Sequence, residues 1–208
     1  MADSKALADL RKGLKAVDDV LSYVKTSAGK PSKPEQSLFV ASVALSYAMW
    51  ENYVEEVAIE AATLLGRDIK DADVPRSVRD WILKSNPTAW DIAVYPGWRA
   101  LWLKVVTERA KGGSGADDLG MNTANTKNVR SLFERVGVDP FATVPEEHLD
   151  KLEQLVKERG EIVHTGKAPK DFYKENATGW RAFVDELAAK VDGACAAGAK
   201  ALVGKNLW

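Results

Sequence analysis

The sequence is short of the residues that build most metal and redox sites. One cysteine in 208 residues, Cys195, excludes an internal disulfide and any cysteine-held zinc or iron–sulfur centre. A lone thiol fits a reducing cytosol. Two histidines, His148 and His164, are too few for a histidine-rich metal centre. No sign of charge dominates: 29 Lys+Arg stand against 30 Asp+Glu, a formal net charge of −1. The chain therefore does not grip nucleic acid simply by being basic, and such binding needs a local patch. Long apolar runs are also missing. The N-terminal MADSKALADLRKG lacks the apolar core of a secretory signal. The longest uncharged stretch, Ser37 to Trp50, is shorter than the ~18 to 20 residues that cross a bilayer. The expectation is a soluble, cytoplasmic protein without membrane contact. A Walker loop, a GxGxxG turn, a GxSxG elbow and an HExxH pair are all absent, so no cofactor and no metal are expected.

What is present is helix. Hydrophobic residues make up 46% of the chain, enough for one domain with a large core. Alanine fills 29 positions, and β-branched residues rarely alternate with polar ones. Leu7, Leu10, Leu14, Val17, Leu21 and Val24 form one seam on a helix from about Asp3 to Ala28. Gly29, Pro31 and Pro34 break it into a loop. A second helix is expected from about Pro34 to Leu65, stopped by Gly66 as a C-cap. Its first half is apolar on nearly every side and marks the centre of the fold. Of Glu51, Glu55, Glu56 and Glu60 in its second half, Glu51 is expected near the core and the others in solvent.

Trp81, Trp90, Trp98 and Trp102 cluster in an insertion with a short helix after Pro75 and a longer one from Gly97 to Lys111. They read as a packed subdomain, with a base-stacking surface as the lesser alternative. The Gly/Asn/Thr-rich stretch from Lys111 to Thr126 is a loop, with a helix starting near Asn125 and ending at Gly137. Pro145 opens a helix over about 145–165, and a final helix runs over about 178–204. The architecture expected is an all-α bundle in a single domain, 1–208.

One constellation can do chemistry: Arg159-Gly160-Glu161-Ile162-Val163-His164, at the end of the 145–165 helix. It joins a permanent cation to the side chain that titrates nearest neutral pH. Phosphodiester cleavage needs that pair. A proton must leave the ribose 2′-hydroxyl or reach the leaving 5′-oxygen, while negative charge builds on the phosphoryl oxygens. Five residues at ~100° each place the two side chains ~140° apart around a regular helix. Either the helix loosens near Gly160 or two chains share one cleft. The same residues also suit a plain surface cap, because cations stabilise helix C-termini. His148, among acids in the first turn, reads as a surface residue, and Cys195 as packing.

Arg159 to His164 matches the R-x(4–6)-H motif of HEPN domains, within KLEQLVKERGEIVHTGK (Lys151 to Lys167). ALSYAMWENYVEEVAIEA (Ala44 to Ala61) resembles the long second helix of the RiboL-PSP type and related prokaryotic branches. NTANTKNVRSLFERVGVDPF (Asn122 to Phe141) resembles their Asn-Thr loop and short helix. These three blocks lie between about residues 38 and 170. The resemblance implies a HEPN-like helical bundle acting as a homodimeric, metal-independent endoribonuclease in toxin–antitoxin or phage-defence settings. RNA would be its substrate, and an antitoxin or defence-system protein its partner. Arg159 would stabilise the phosphorane-like transition state, and His164 would act as general acid or base. Glu51 would orient His164 or tune its pKa. Two departures stand out. Gly160 replaces the usual polar residue after the arginine, removing an amide that could position the phosphate, and His-Gly becomes His164-Thr165-Gly166.

Residues 157 to 181 hold six bases against four acids, a modest phosphate-attracting patch. Lys157, Lys167, Lys170 and Lys174 are the RNA-binding candidates there, with Arg181 beyond them. The alternative to the enzyme is a non-catalytic HEPN-like module that binds RNA, a nucleotide or a partner protein.

Overall fold

The computed structural model describes residues 2–25, 30–85, 97–113 and 120–208, and in these it is all-helical. Seven α-helices follow in order: α1 Lys5–Ser22, α2 Lys33–Asp68, α3 Arg76–Ser85, α4 Trp98–Lys111, α5 Thr126–Phe133, α6 Glu146–Thr165 and α7 Lys174–Val203. Trp90, the expected extension of the first helix over 26–28 and the tip of the Gly-rich loop lie outside the described residues.

α2 is the axis of the bundle, packed against α1, α4, α6 and α7. A helix surrounded on so many sides must be apolar around its circumference. Phe39, Val43, Tyr47, Trp50, Val54, Val57, Ala61 and Leu65 are accordingly all buried. The seam of α1 lies against it, with Leu7, Leu10, Leu14, Val17 and Leu21 buried. One hydrophobic cluster draws residues from all seven helices.

The helix ends explain where the sequence reading needs correction. Ser4 caps α1, its hydroxyl accepting from Leu7 N at 3.0 Å. Glu60, expected in solvent, reaches across from α2 and accepts from Lys5 N and Ala6 N at 3.0 Å each. A carboxylate there satisfies two free N–H groups at the positive end of the helix dipole. Glu55 and Glu56 are likewise engaged, by the Lys111 ammonium at 2.7 and 2.8 Å. α1 stops at Ser22, where the Ser22 hydroxyl donates to Asp19 O at 2.6 Å and competes with the helical ladder. Gly66 does not end α2, which continues to Asp68 with Ile69 as its cap. It lies against α4 instead, with room for a side chain. A β-carbon there would meet the Trp102 ring at 3.9 Å, and its carbonyl accepts from Arg99 Nε at 2.8 Å. α7 begins at Lys174 rather than near 178, with Tyr173 N donating to Asn176 Oδ1 at 2.9 Å.

Trp98 and Trp102 are buried and stacked with ring centroids 6.0 Å apart, so they are packing residues and not a base-stacking surface. Trp81 is half-buried under the Arg135 guanidinium. Cys195 is fully buried, as its alanine-rich setting implies. Its neighbour Asp192, also buried, accepts from Ser4 N at 3.2 Å, from the Ser4 hydroxyl, and from Trp208 Nε1 at 3.0 Å.

Candidate active site

The site is built outward from one side of α2. Tyr47, Trp50 and Glu51 are three and four residues apart, so they share a face. That face meets the segment before α5. Ala124 N donates to the Tyr47 hydroxyl at 2.9 Å, and Trp50 Nε1 donates to Ala124 O at 2.8 Å. Both polar groups of one buried residue are thus satisfied by aromatic side chains of α2. Asn125 caps α5 by accepting from Asn128 N at 2.8 Å, and Thr126 N donates to Glu153 of α6 at 2.9 Å. The Asn-Thr segment is fastened to α2 on one side and α6 on the other.

α6 brings Arg159 to the same place. Its guanidinium lies over the Tyr47 ring, 5.0 Å from the centroid, a cation–π arrangement that holds it while leaving its donors free. Glu51 is half-buried beside this pair. Burial pushes its carboxyl up from the ordinary glutamate range, while the Tyr47 hydroxyl and the Arg159 charge partly oppose the shift. Burial, and next the Glu51 charge, push the Tyr47 hydroxyl well above its usual range. Within one chain, then, Glu51 is the electrostatic neighbour of Tyr47 and Arg159.

The direction of the Glu51 shift fixes a stability prediction. A carboxyl that binds protons more tightly folded than unfolded costs stability as pH rises from the ordinary glutamate value through the raised one. Glu51→Gln removes that cost. Urea denaturation will find the variant at least as stable as the wild type at neutral pH, with the difference vanishing in acid, where both folded and unfolded states are protonated.

α6 is regular to Thr165 and closes on Gly166 at φ 65°. It does not loosen at Gly160, where no atom lies within 4 Å of a would-be β-carbon. The ~140° divergence of a regular helix therefore applies to Arg159 and His164. Arg159 is half-buried against α2, whereas His164 is exposed in the last turn beside Val163, itself 54% exposed. Among the described residues no side chain hydrogen-bonds to His164. One chain does not aim both groups at a common point.

The basic candidates divide. Lys157, Lys167 and Lys170 are exposed. Lys174 is half-buried, and its ammonium donates to Val24 O at 3.4 Å, so it braces the end of α1. Arg181 is held by Asp18 at 2.8 Å and Asp185 at 3.1 Å, which removes it from any phosphate patch. His148 is largely covered rather than a surface residue. Its Nε2 lies 2.9 Å from Glu186 Oε1, and its ring packs on Phe183. It joins α6 to α7.

No known protein-family profile, curated protein or solved structure matches the chain. Among the described residues no group of three His, Cys, Asp or Glu is placed to hold a metal ion. None of their helices is long and apolar enough to cross a membrane. The sequence reading did not single out Tyr47 as a site residue. Its signal was the four-residue spacing to Glu51, one helical turn away on the same face.

Proposed function

We propose that the chain is a metal-independent endoribonuclease of toxin–antitoxin or phage-defence type, working in the cytoplasm as a homodimer. The observation that carries this reading is the regular course of α6. Arg159 is held on Tyr47 beside Glu51, and His164 stands free at the helix end, so a second chain is needed to bring a guanidinium and an imidazole to one phosphate. In that cleft the ribose 2′-oxygen attacks the adjacent phosphorus as its proton passes to a base, and the bond to the 5′-oxygen breaks. The 5′-oxygen takes up a proton. His164 serves one of these transfers and Arg159 balances the charge on the phosphoryl oxygens. The products are a 2′,3′-cyclic phosphate and a 5′-hydroxyl. Glu51 acts on Arg159 through its charge, while the Tyr47 ring holds the guanidinium.

The test is incubation of RNA with the wild type, Arg159→Ala and His164→Ala in the presence of EDTA. Chelator-resistant cleavage abolished in both variants is the expected result. Equal behaviour of the three proteins removes the proposal. It would favour the second reading, a non-catalytic module binding RNA, a nucleotide or a partner protein, which draws on the absence of a described side chain orienting His164.

A further inference from the structure

Beyond the C-terminus of α6 lies a groove that the motif does not include. It has a volume of about 440 Å³ and is lined by Lys30, Pro31, Gln36, Lys170, Asp171 and Tyr173, with Phe172 and the Ala168-Pro169 pair completing it. Phe172 is buried and packs on Phe39 of α2, ring centroids 6.4 Å apart, which anchors the floor to the bundle axis. Tyr173, by contrast, is 41% exposed, one of few large apolar side chains left in solvent. Lys30 and Lys170 are exposed, and neither makes an ion pair among the described residues. Asp171, at φ 56°, is the one acid in the lining. Gln36 donates through Nε2 to Pro31 O at 3.2 Å, leaving its side-chain oxygen as an acceptor.

An open aromatic ring flanked by two unpaired ammonium groups and an amide acceptor has the chemistry of a single-stranded nucleotide site. A base stacks on the ring, the phosphates meet the lysines, and the amide oxygen meets a base-edge donor. The position suits a strand running past His164. Only Thr165, Gly166 and Lys167 separate His164 from the groove wall at Ala168, a backbone contour of at most ~14 Å. The groove between α1 and α2 is less suited: it mixes Asp9, Glu56 and Glu60 with its bases, which would repel a phosphate.

We infer that the Lys30–Lys170–Tyr173 groove is a binding subsite for an unpaired nucleotide of the RNA, a few nucleotides from the link cut at His164. The inference rests on the ribonuclease reading for its direction, but binding tests it separately. The probe is a short fluorescein-labelled single-stranded RNA, followed by anisotropy on the full-length chain carrying His164→Ala so that the probe survives. Tyr173→Ala should weaken binding about tenfold or more, with Tyr173→Phe close to the parent, since stacking needs the ring and not the hydroxyl. Lys30→Gln with Lys170→Gln should lower the slope of log affinity against log salt by about 0.7 for each phosphate no longer neutralised. An abasic oligomer of equal length should bind more weakly than RNA and be indifferent to Tyr173→Ala.

Because Tyr173 precedes α7, the Lys30→Gln, Lys170→Gln double variant, changed at two exposed positions, serves as the independent arm should Tyr173→Ala fold poorly. Unchanged affinity and salt slope in folded groove variants overturn the inference, as does an abasic strand binding as well as RNA. Groove-dependent binding by a chain that never cuts RNA keeps the subsite and rejects the ribonuclease. Cutting by the His164-intact groove variants with unchanged KM rejects the subsite and keeps the ribonuclease.

Discussion

Co-expressing the Arg159→Ala and His164→Ala chains will restore RNA cleavage to about a quarter of the wild-type rate, although each variant alone is inactive. This is what the proposed dimer requires, given the geometry of α6. With the helix regular through Gly160, the proposed mechanism takes the guanidinium of each productive pair from one protomer and the imidazole from the other. A twofold dimer then has two such pairs. In the mixed dimer one pair lacks both groups and the other is complete. Random assortment makes about half of the dimers mixed, each with half its sites intact. His164→Ala should lower the rate by ~10²–10⁴, the range for removing a general acid or base, and Arg159→Ala by ~10²–10³, the range for removing a charge-stabilising donor, so the recovered activity stands far above background. Cleavage by the wild type without any recovery in the mixture would mean that both groups act from one chain, and the dimer-cleft mechanism would fail.

Trp50→Ala will cost about 3–5 kcal/mol of folding stability, the range for emptying a core tryptophan site. The indole is fully buried at the bundle axis and its N–H holds the Ala124 carbonyl at 2.8 Å. Truncation leaves a cavity and an unsatisfied buried acceptor together, and the second adds to the first. Trp50→Phe keeps most of the packing and removes only the hydrogen bond, so it should cost about 1–3 kcal/mol. Urea midpoints with unchanged slope report both values, and an alanine variant more stable than the phenylalanine one would contradict a buried, hydrogen-bonded indole.

Trp50 also marks the boundary of what the sequence can tell. Its burial follows from the apolar run around it, because the 3.6-residue period of α2 and of the α1 seam is a local signal. That its nitrogen would close on a peptide 74 residues later is not local. The same division runs through the site. Arg159 and His164 are readable as a spaced pair, and the divergence between them follows from helix geometry alone. The Tyr47 ring beneath Arg159 comes from α2 lying against α6, which no window of sequence contains. Gly66 fails as a stop signal because glycine permits a helix end without requiring one, and here α2 runs on to Asp68. The tally of bases around the motif overstated the patch for a related reason. Arg181 is neutralised by Asp18, 163 residues away, and Lys174 is spent on the end of α1. Glu60 was assigned to solvent because its partners, two backbone N–H groups of α1, carry no charge that a sequence count could register.

Ser4, near the start of the described chain, and Trp208, at its end, both hydrogen-bond to the buried carboxylate of Asp192. They therefore emerge at one pole of the bundle, close enough for a short peptide to join them. Any domain or label fused at either end will crowd the same small area, and a circularly rearranged chain opened elsewhere could retain the whole helical packing.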